Sequence, residues 1–225
     1  MARTKHKKVA EVNSLPNVYS RRIQGSLEEL KIRISDANDV TLELACGNGE
    51  YTTGLAEMYP EKFFIGVDRK SNRIWRGAKT VAENNLTNAA FLISYIEKVE
   101  LIFQEPKVTN IWIPFPEPYP MHGHRKKRVI HPRYLTIYKR LMKPGGVMHL
   151  KTDSEHLYNY AKKICGLMGL AILKTVPDLR NYPELTPEEK IMTRFESDHL
   201  RDGRKIYYIS FLLDNFDSTK IPKYE

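Results

Sequence analysis

The sequence predicts an α/β fold, a doubly wound sheet of about seven strands, mostly parallel with one antiparallel strand. Three observations predict it. Short β-branched and apolar runs alternate with stretches of helical periodicity along most of the chain. The first of these runs, Val40 to Ala45, turns through the glycines of CGNGE into a helix. Several runs also end on an acid, at the strand ends where open α/β sheets bind their ligands.

The elements follow in order. The helix after the glycine turn runs from about Tyr51 to Met58 and is stopped by Pro60. Lys62 to Asp68, KFFIGVD, is a buried strand ending on an acid. Asn72 to Asn84 is helical, with Ile74, Trp75, Ala78 and Val81 on one face. Ala89 to Ser94 and Val108 to Pro114 are the next two strands. His131 to Lys143 is a helix that turns inward Leu135, Tyr138 and Leu141 or Met142, and KPGG ends it as a turn. Val147 to Asp153 is a strand, Glu155 to Met168 a helix, and Leu170 to Val176 and Lys205 to Leu213 the last two strands. The segment 178–204 between those strands leaves little room for a crossover helix, so they are expected to pair antiparallel. The expected organisation is a basic, flexible arm at residues 1–30, a single domain at 31–214 carrying the insertion 178–204, and a tail at 215–225.

Composition narrows the function classes. The 225 residues carry a formal charge of +9, a balance that favours a polyanionic partner, nucleic acid before membrane surface. No apolar run approaches the roughly 20 residues of a membrane span. MARTKHKK has no apolar stretch behind its charges, so it does not read as a secretory signal. The two cysteines, Cys46 and Cys165, make no disulfide framework and read as buried hydrophobes in a cytoplasmic protein. His122, His124 and His131 are wrongly spaced for a closed metal site, and no metal is expected. Trp75 and Trp112 read as core.

Glu43 lies within the first strand, where a buried carboxylate is costly unless a cation or a donor meets it. A sulfonium or an amino group would meet it well and a pyrophosphate poorly. Gly47 and Gly49 let backbone approach a ligand. Thr52 stands where a nicotinamide binder has its third glycine, which disfavours hydride transfer. Asp68 falls about 20 residues past the turn, where an acid accepts from ribose hydroxyls. Further on, IWIPFPEPYPMHGHRKKRVIH places Glu117 among prolines and aromatics, followed by the basic run Arg125, Lys126, Lys127 and Arg128, which is expected to meet phosphates. Phe115 and Tyr119 are expected to line a pocket or stack on a base.

LELACGNGEY, FIGVD, FPEPYP, RKKRVIHPRYL, KPGGVMHLKTD and TRFE, in this order, resemble the bacterial tRNA (guanine-N7)-methyltransferases, from about Val40 to Leu213. The resemblance implies a class I methyltransferase (Rossmann-like) fold, S-adenosyl-L-methionine as methyl donor, and transfer to N7 of a variable-loop guanine in tRNA. It implies that Glu43 and Asp68 hold the cofactor and that Glu117 is the cofactor-binding and catalytic acid. It further implies that Asp153 and the run Thr193, Arg194, Phe195 and Glu196 contact the substrate. Some positions depart from the family pattern. Ala45 replaces the first glycine of the turn, and Glu117 an aspartate. Tyr95 stands at the adenine-contacting acid, so backbone groups and stacking there would hold the adenine. Met121 replaces a substrate-binding lysine. The partner expected is tRNA, with no membrane, and the state a monomer or homodimer. A non-catalytic tRNA-binding subunit on the same scaffold and a small-molecule methyltransferase are the alternatives.

Overall fold

A computed structural model of the chain describes residues 2–222. The last three residues of the expected tail, 223–225, lie outside the described residues, as do the side chains of residues 2–6 in the expected arm. The chain divides into two compact units, Met1–Val108 and Thr109–Glu225.

The first unit contains α1 (Ala2–Val12), β1 (Val18–Ser20), α2 (Ser26–Asp36), β2 (Val40–Leu44), α3 (Glu50–Met58), β3 (Phe63–Asp68), α4 (Ser71–Glu83) and β4 (Ala89–Ile93). Its strands are parallel and ordered β1-β4-β3-β2. Every residue of β2 and β3 is buried, as expected of strands covered on both faces. The register sets Val40 opposite Phe63 and Leu44 opposite Val67.

The second unit contains β5 (Val108–Pro114), which begins at the boundary, then α5 (Pro132–Leu141), β6 (Met142–Thr152), α6 (Glu155–Met168), β7 (Ile172–Val176), α7 (Arg194–Arg201) and β8 (Tyr207–Leu212). Its order is β5-β6-β8-β7, and β8 runs antiparallel to both β6 and β7. Trp112 is buried and stacks on His149 at 4.0 Å, and His149 sits between the Tyr208 hydroxyl at 2.8 Å and Asn110 Oδ1 at 3.0 Å. Burial pushes the His149 pKa down to about 3, so the ring is neutral at pH 7.

The two units together contribute eight strands, where seven were expected. The extra one is β1, within the stretch expected to be a flexible arm. Val18 and Tyr19 are buried there, with Val18 opposite Phe91. Three residues after a proline are too short for periodicity to be read. Near the same end, Trp75 is only half-buried, and its Nε1 donates to Glu11 of α1 at 2.8 Å. β6 also starts five residues before the expected Val147, because KPGG is extended and not a helix-ending turn. Gly145 takes φ 76°, and its N–H donates to Asp214 Oδ1 at 3.0 Å. Cys46 and Cys165 are free and buried. No described helix is long and apolar enough to cross a membrane.

Candidate active site

In the first unit the glycine turn joins β2 to α3. Its geometry depends on one aromatic ring. A Cβ on Gly66 would lie 2.7 Å from both the Phe91 ring and Thr52 Oγ1, and a Cβ on Gly49 or Gly77 would also strike that ring. Three glycines therefore let α3, α4 and β3 close over Phe91, which fixes where the turn sits. Glu43 projects from β2 and is 2% exposed. Its Oε2 accepts from the Thr52 N–H at 2.8 Å and from the Thr52 hydroxyl at 2.6 Å. Its Oε1 is buried and makes no hydrogen bond of normal geometry, although the Tyr51 N–H also acts on the carboxyl group. Burial pushes the Glu43 pKa up to about 8, against the pull of the Thr52 hydrogen bonds.

Asp68, at the end of β3, is also buried. Its Oδ2 accepts from the Gly47 N–H at 3.1 Å and its Oδ1 from the Lys70 N–H at 2.8 Å. Tyr95 follows β4 and is exposed, on a cavity of about 280 Å³ whose lining includes Ser94, Arg21, Arg22, Arg69 and Lys98 but no carboxylate.

In the second unit, Glu117 stands exposed in the loop that follows β5. Phe115 and Tyr119, two positions before and after it, take φ 50° and 45°, rare for bulky side chains. Asp153 follows β6 and is half-buried. Its Oδ2 meets Arg204 Nη1 at 3.0 Å and His199 Nδ1 at 3.3 Å. His199 lies edge-on between the rings of Phe115 and Phe195, about 6 Å from each. Thr193 caps α7 by accepting from the Glu196 N–H at 3.1 Å, and Glu196 is buried against Lys151 Nζ at 2.7 Å. Lys151 is 1% exposed and also donates to the carbonyls of Glu189 and Ile191.

Residues 37–209 match the family model described as "Putative methyltransferase". A tRNA (guanine-N(7)-)-methyltransferase of Christiangramia forsetii is 42% identical over 174 residues, 76% of this chain and 77% of that protein. One from Porphyromonas gingivalis is 41% identical, covering 79% of this chain and 72% of its own. The chain belongs to the bacterial tRNA (guanine-N7)-methyltransferase family. Among solved structures, the 16S rRNA methyltransferase KamB superposes with a TM-score of 0.62 at 15% identity, over 86% of this chain and 97% of that one, and so shares the fold.

Within this methyltransferase fold the sequence-derived residues separate by burial. Glu43, Gly47 and Asp68 come together around the glycine turn, with Thr52 as an added member. The Glu43 donor expected from a ligand is half supplied by Thr52, whose hydroxyl nine residues on was the available signal. The basic run does not present four cations alike. Lys126 and Lys127 are exposed and Arg125 half-buried, but Arg128 is buried. TRFE likewise divides, with Arg194 and Phe195 exposed and Thr193 and Glu196 turned inward. Lys151, His199 and Arg204 escaped sequence reading. The lysine of KTD was the visible sign of the first, and the other two carry no local pattern.

Proposed function

We propose that the protein transfers a methyl group from S-adenosyl-L-methionine to N7 of a variable-loop guanine in tRNA. One observation carries the reading, the buried Oε1 of Glu43 beside the glycine turn, which makes no hydrogen bond of normal geometry. A carboxylate oxygen in that position fits a cationic ammonium or sulfonium, and it fits a pyrophosphate badly. The names of the relatives support the RNA half, as do exposed Lys126 and Lys127. The family model runs from residue 37 to residue 209, which supports one methyltransferase domain across both units.

In the first unit Glu43, Gly47, Gly49, Asp68 and Tyr95 are the residues that would hold the cofactor, and Glu117 of the second unit is assigned to it by the family resemblance alone. Bound there, the cofactor supplies an electrophilic methyl group. Glu43 Oε1 accepts from the ligand's cationic end, while Asp68, already held by two backbone N–H groups, keeps lone pairs for ribose hydroxyls. N7 of guanine has no proton to lose, so its attack requires no general base. The work of the protein is alignment, with a carboxylate near the ring as positive charge develops on it. Glu117 is exposed and suits that role. Glu117 or Asp153 accepts from guanine N1–H and N2–H₂, a donor pair adenine lacks. Arg125, Lys126 and Lys127 meet phosphates, and Arg194 and Phe195 are the exposed part of TRFE that faces substrate.

Incubation with labelled S-adenosylmethionine and unmodified tRNA, followed by nucleotide mapping, tests the activity. The expected product is 7-methylguanine at one variable-loop position. Glu117→Ala and Asp153→Ala are each expected to lower kcat/KM on the order of 100-fold. Unchanged rates in both would remove these residues from the mechanism.

A further inference from the structure

We propose that Arg128 is a positioning residue, whose guanidinium latches the proline loop in the conformation that presents Glu117. The inference rests on the reading of Glu117 given above and deepens it. Sequence alone groups Arg128 with the phosphate-binding cations, but its side chain is 4% exposed. Its Nε donates to the Tyr119 carbonyl at 3.1 Å and its Nη2 to the Pro120 carbonyl at 3.3 Å. The guanidinium carbon lies 4.3 Å from the centroid of the Tyr160 ring, on α6. Among the described residues no carboxylate forms an ion pair with it.

The loop needs such a latch for two reasons. Pro116, Pro118 and Pro120 have no N–H, so the segment cannot close on itself through a hydrogen-bond ladder. Phe115 and Tyr119 both precede proline and both occupy the left-handed region, a conformation that persists only where the surroundings over-determine it. Each end is held from outside the loop. The Phe115 N–H donates to the Lys151 carbonyl at 2.7 Å, and Arg128 holds the Tyr119 end. Lys127 and His124 add to that end, with Lys127 Nζ 5.8 Å from the Tyr119 centroid and the His124 ring edge-on to it. Only a planar fork of donors reaches two adjacent carbonyls while stacking on an aromatic face, and lysine does not reproduce it.

The test is Arg128→Lys in the full chain. The expected result is a kcat on saturating tRNA reduced on the order of 10–100-fold, the cost of a misplaced group. The tRNA Kd and its salt dependence are expected to stay unchanged, with faster hydrogen exchange at the amides of residues 115–121. A retained kcat overturns the proposal, as does a shallower salt slope, which would make Arg128 a phosphate contact. Glu117→Gln, measured alongside, separates the two readings. Full kcat in that variant overturns the role of Glu117, and loop exchange still judges the latch, since unaltered exchange in Arg128→Lys refutes it whatever Glu117 does. Should Arg128→Lys fail to fold, Tyr160→Leu removes the stacking face alone and is expected to raise loop exchange. Wild-type exchange there counts against the latch.

Discussion

The buried acids of the first unit are held by neutral donors, and those of the second by cations. Glu43 and Asp68 take their hydrogen bonds from Thr52, Gly47 and Lys70, all through backbone N–H groups or a hydroxyl. Glu196 and Glu189 instead face Lys151 and Lys174, and half-buried Asp153 faces Arg204. Burial with only neutral donors keeps Glu43 largely protonated near neutral pH, so a cationic ligand meeting it first displaces that proton and then faces a charge with no other cationic partner. A carboxylate already paired with a cation has less to offer a ligand and serves better to join segments. By this contrast Glu43 and Asp68 stand, among the described residues, without an ion pair, which fits the proposed cationic cofactor. In the second unit, the ion pairs tie α7, which carries exposed Arg194 and Phe195, to the end of β6.

The contrast breaks most visibly at Lys151. Lys151→Ala leaves Glu196 buried without its cation and two carbonyls without a donor, and is expected to lower unfolding free energy by about 3–5 kcal/mol. Glu196→Gln in the same chain should recover part of the loss in urea unfolding. If Lys151→Ala keeps wild-type stability, the second unit is not held by its ion pairs.

A smaller effect separates the buried groups by pH. Glu43 has its folded pKa raised to about 8 from an ordinary 4.5, so its stabilising share is complete below about 4.5 and is lost as pH rises through 8. His149 has its folded pKa lowered to about 3 from 6.5, so its share is lost as pH falls below 6.5. Relative to Glu43→Gln, the wild type is expected to lose roughly 1 kcal/mol per unit of rising pH across that window. Relative to His149→Gln, it is expected to lose a similar amount per unit of falling pH. Urea midpoints across pH 4–8 give both slopes, and slopes of the same sign would contradict the burial of one group or the other.

The smallest effect sharpens the glycine turn. Ala45 takes φ 56°, in the left-handed region. Ala45→Gly relieves that strain but frees the unfolded chain, and the expected net is about 0.5 kcal/mol of added stability. A loss of stability on this substitution would show that the turn is not strained at Ala45.

Much of the fold was legible because its signals are local. VTLELA running into CGNGE, and KFFIGVD ending at Asp68, each declare a strand and where it stops from adjacent residues alone. The reversal of β8 was legible from the polar insertion before it, 178–204, which left little room for a crossover helix on the sheet. β1 was not, because three residues carry no period, and its place depends on Phe91 some seventy positions away. KPGG misled because extended chain through a left-handed glycine reads, residue by residue, like a turn.

Composition and motif spacing by themselves determined the fold class, the glycine turn, and which residue types could serve a sulfonium donor and a polyanion. These follow from hydrophobic period and charge, which are properties of near neighbours along the chain. Tertiary structure alone decided which members of a motif face solvent. Within RKKR it turned Arg128 inward to the proline loop, and within TRFE it sent Glu196 to Lys151. The reason is burial. A charge is placed by the partners it finds across the fold, and those partners, Tyr119, Tyr160 and Lys151, lie 9, 32 and 45 residues away.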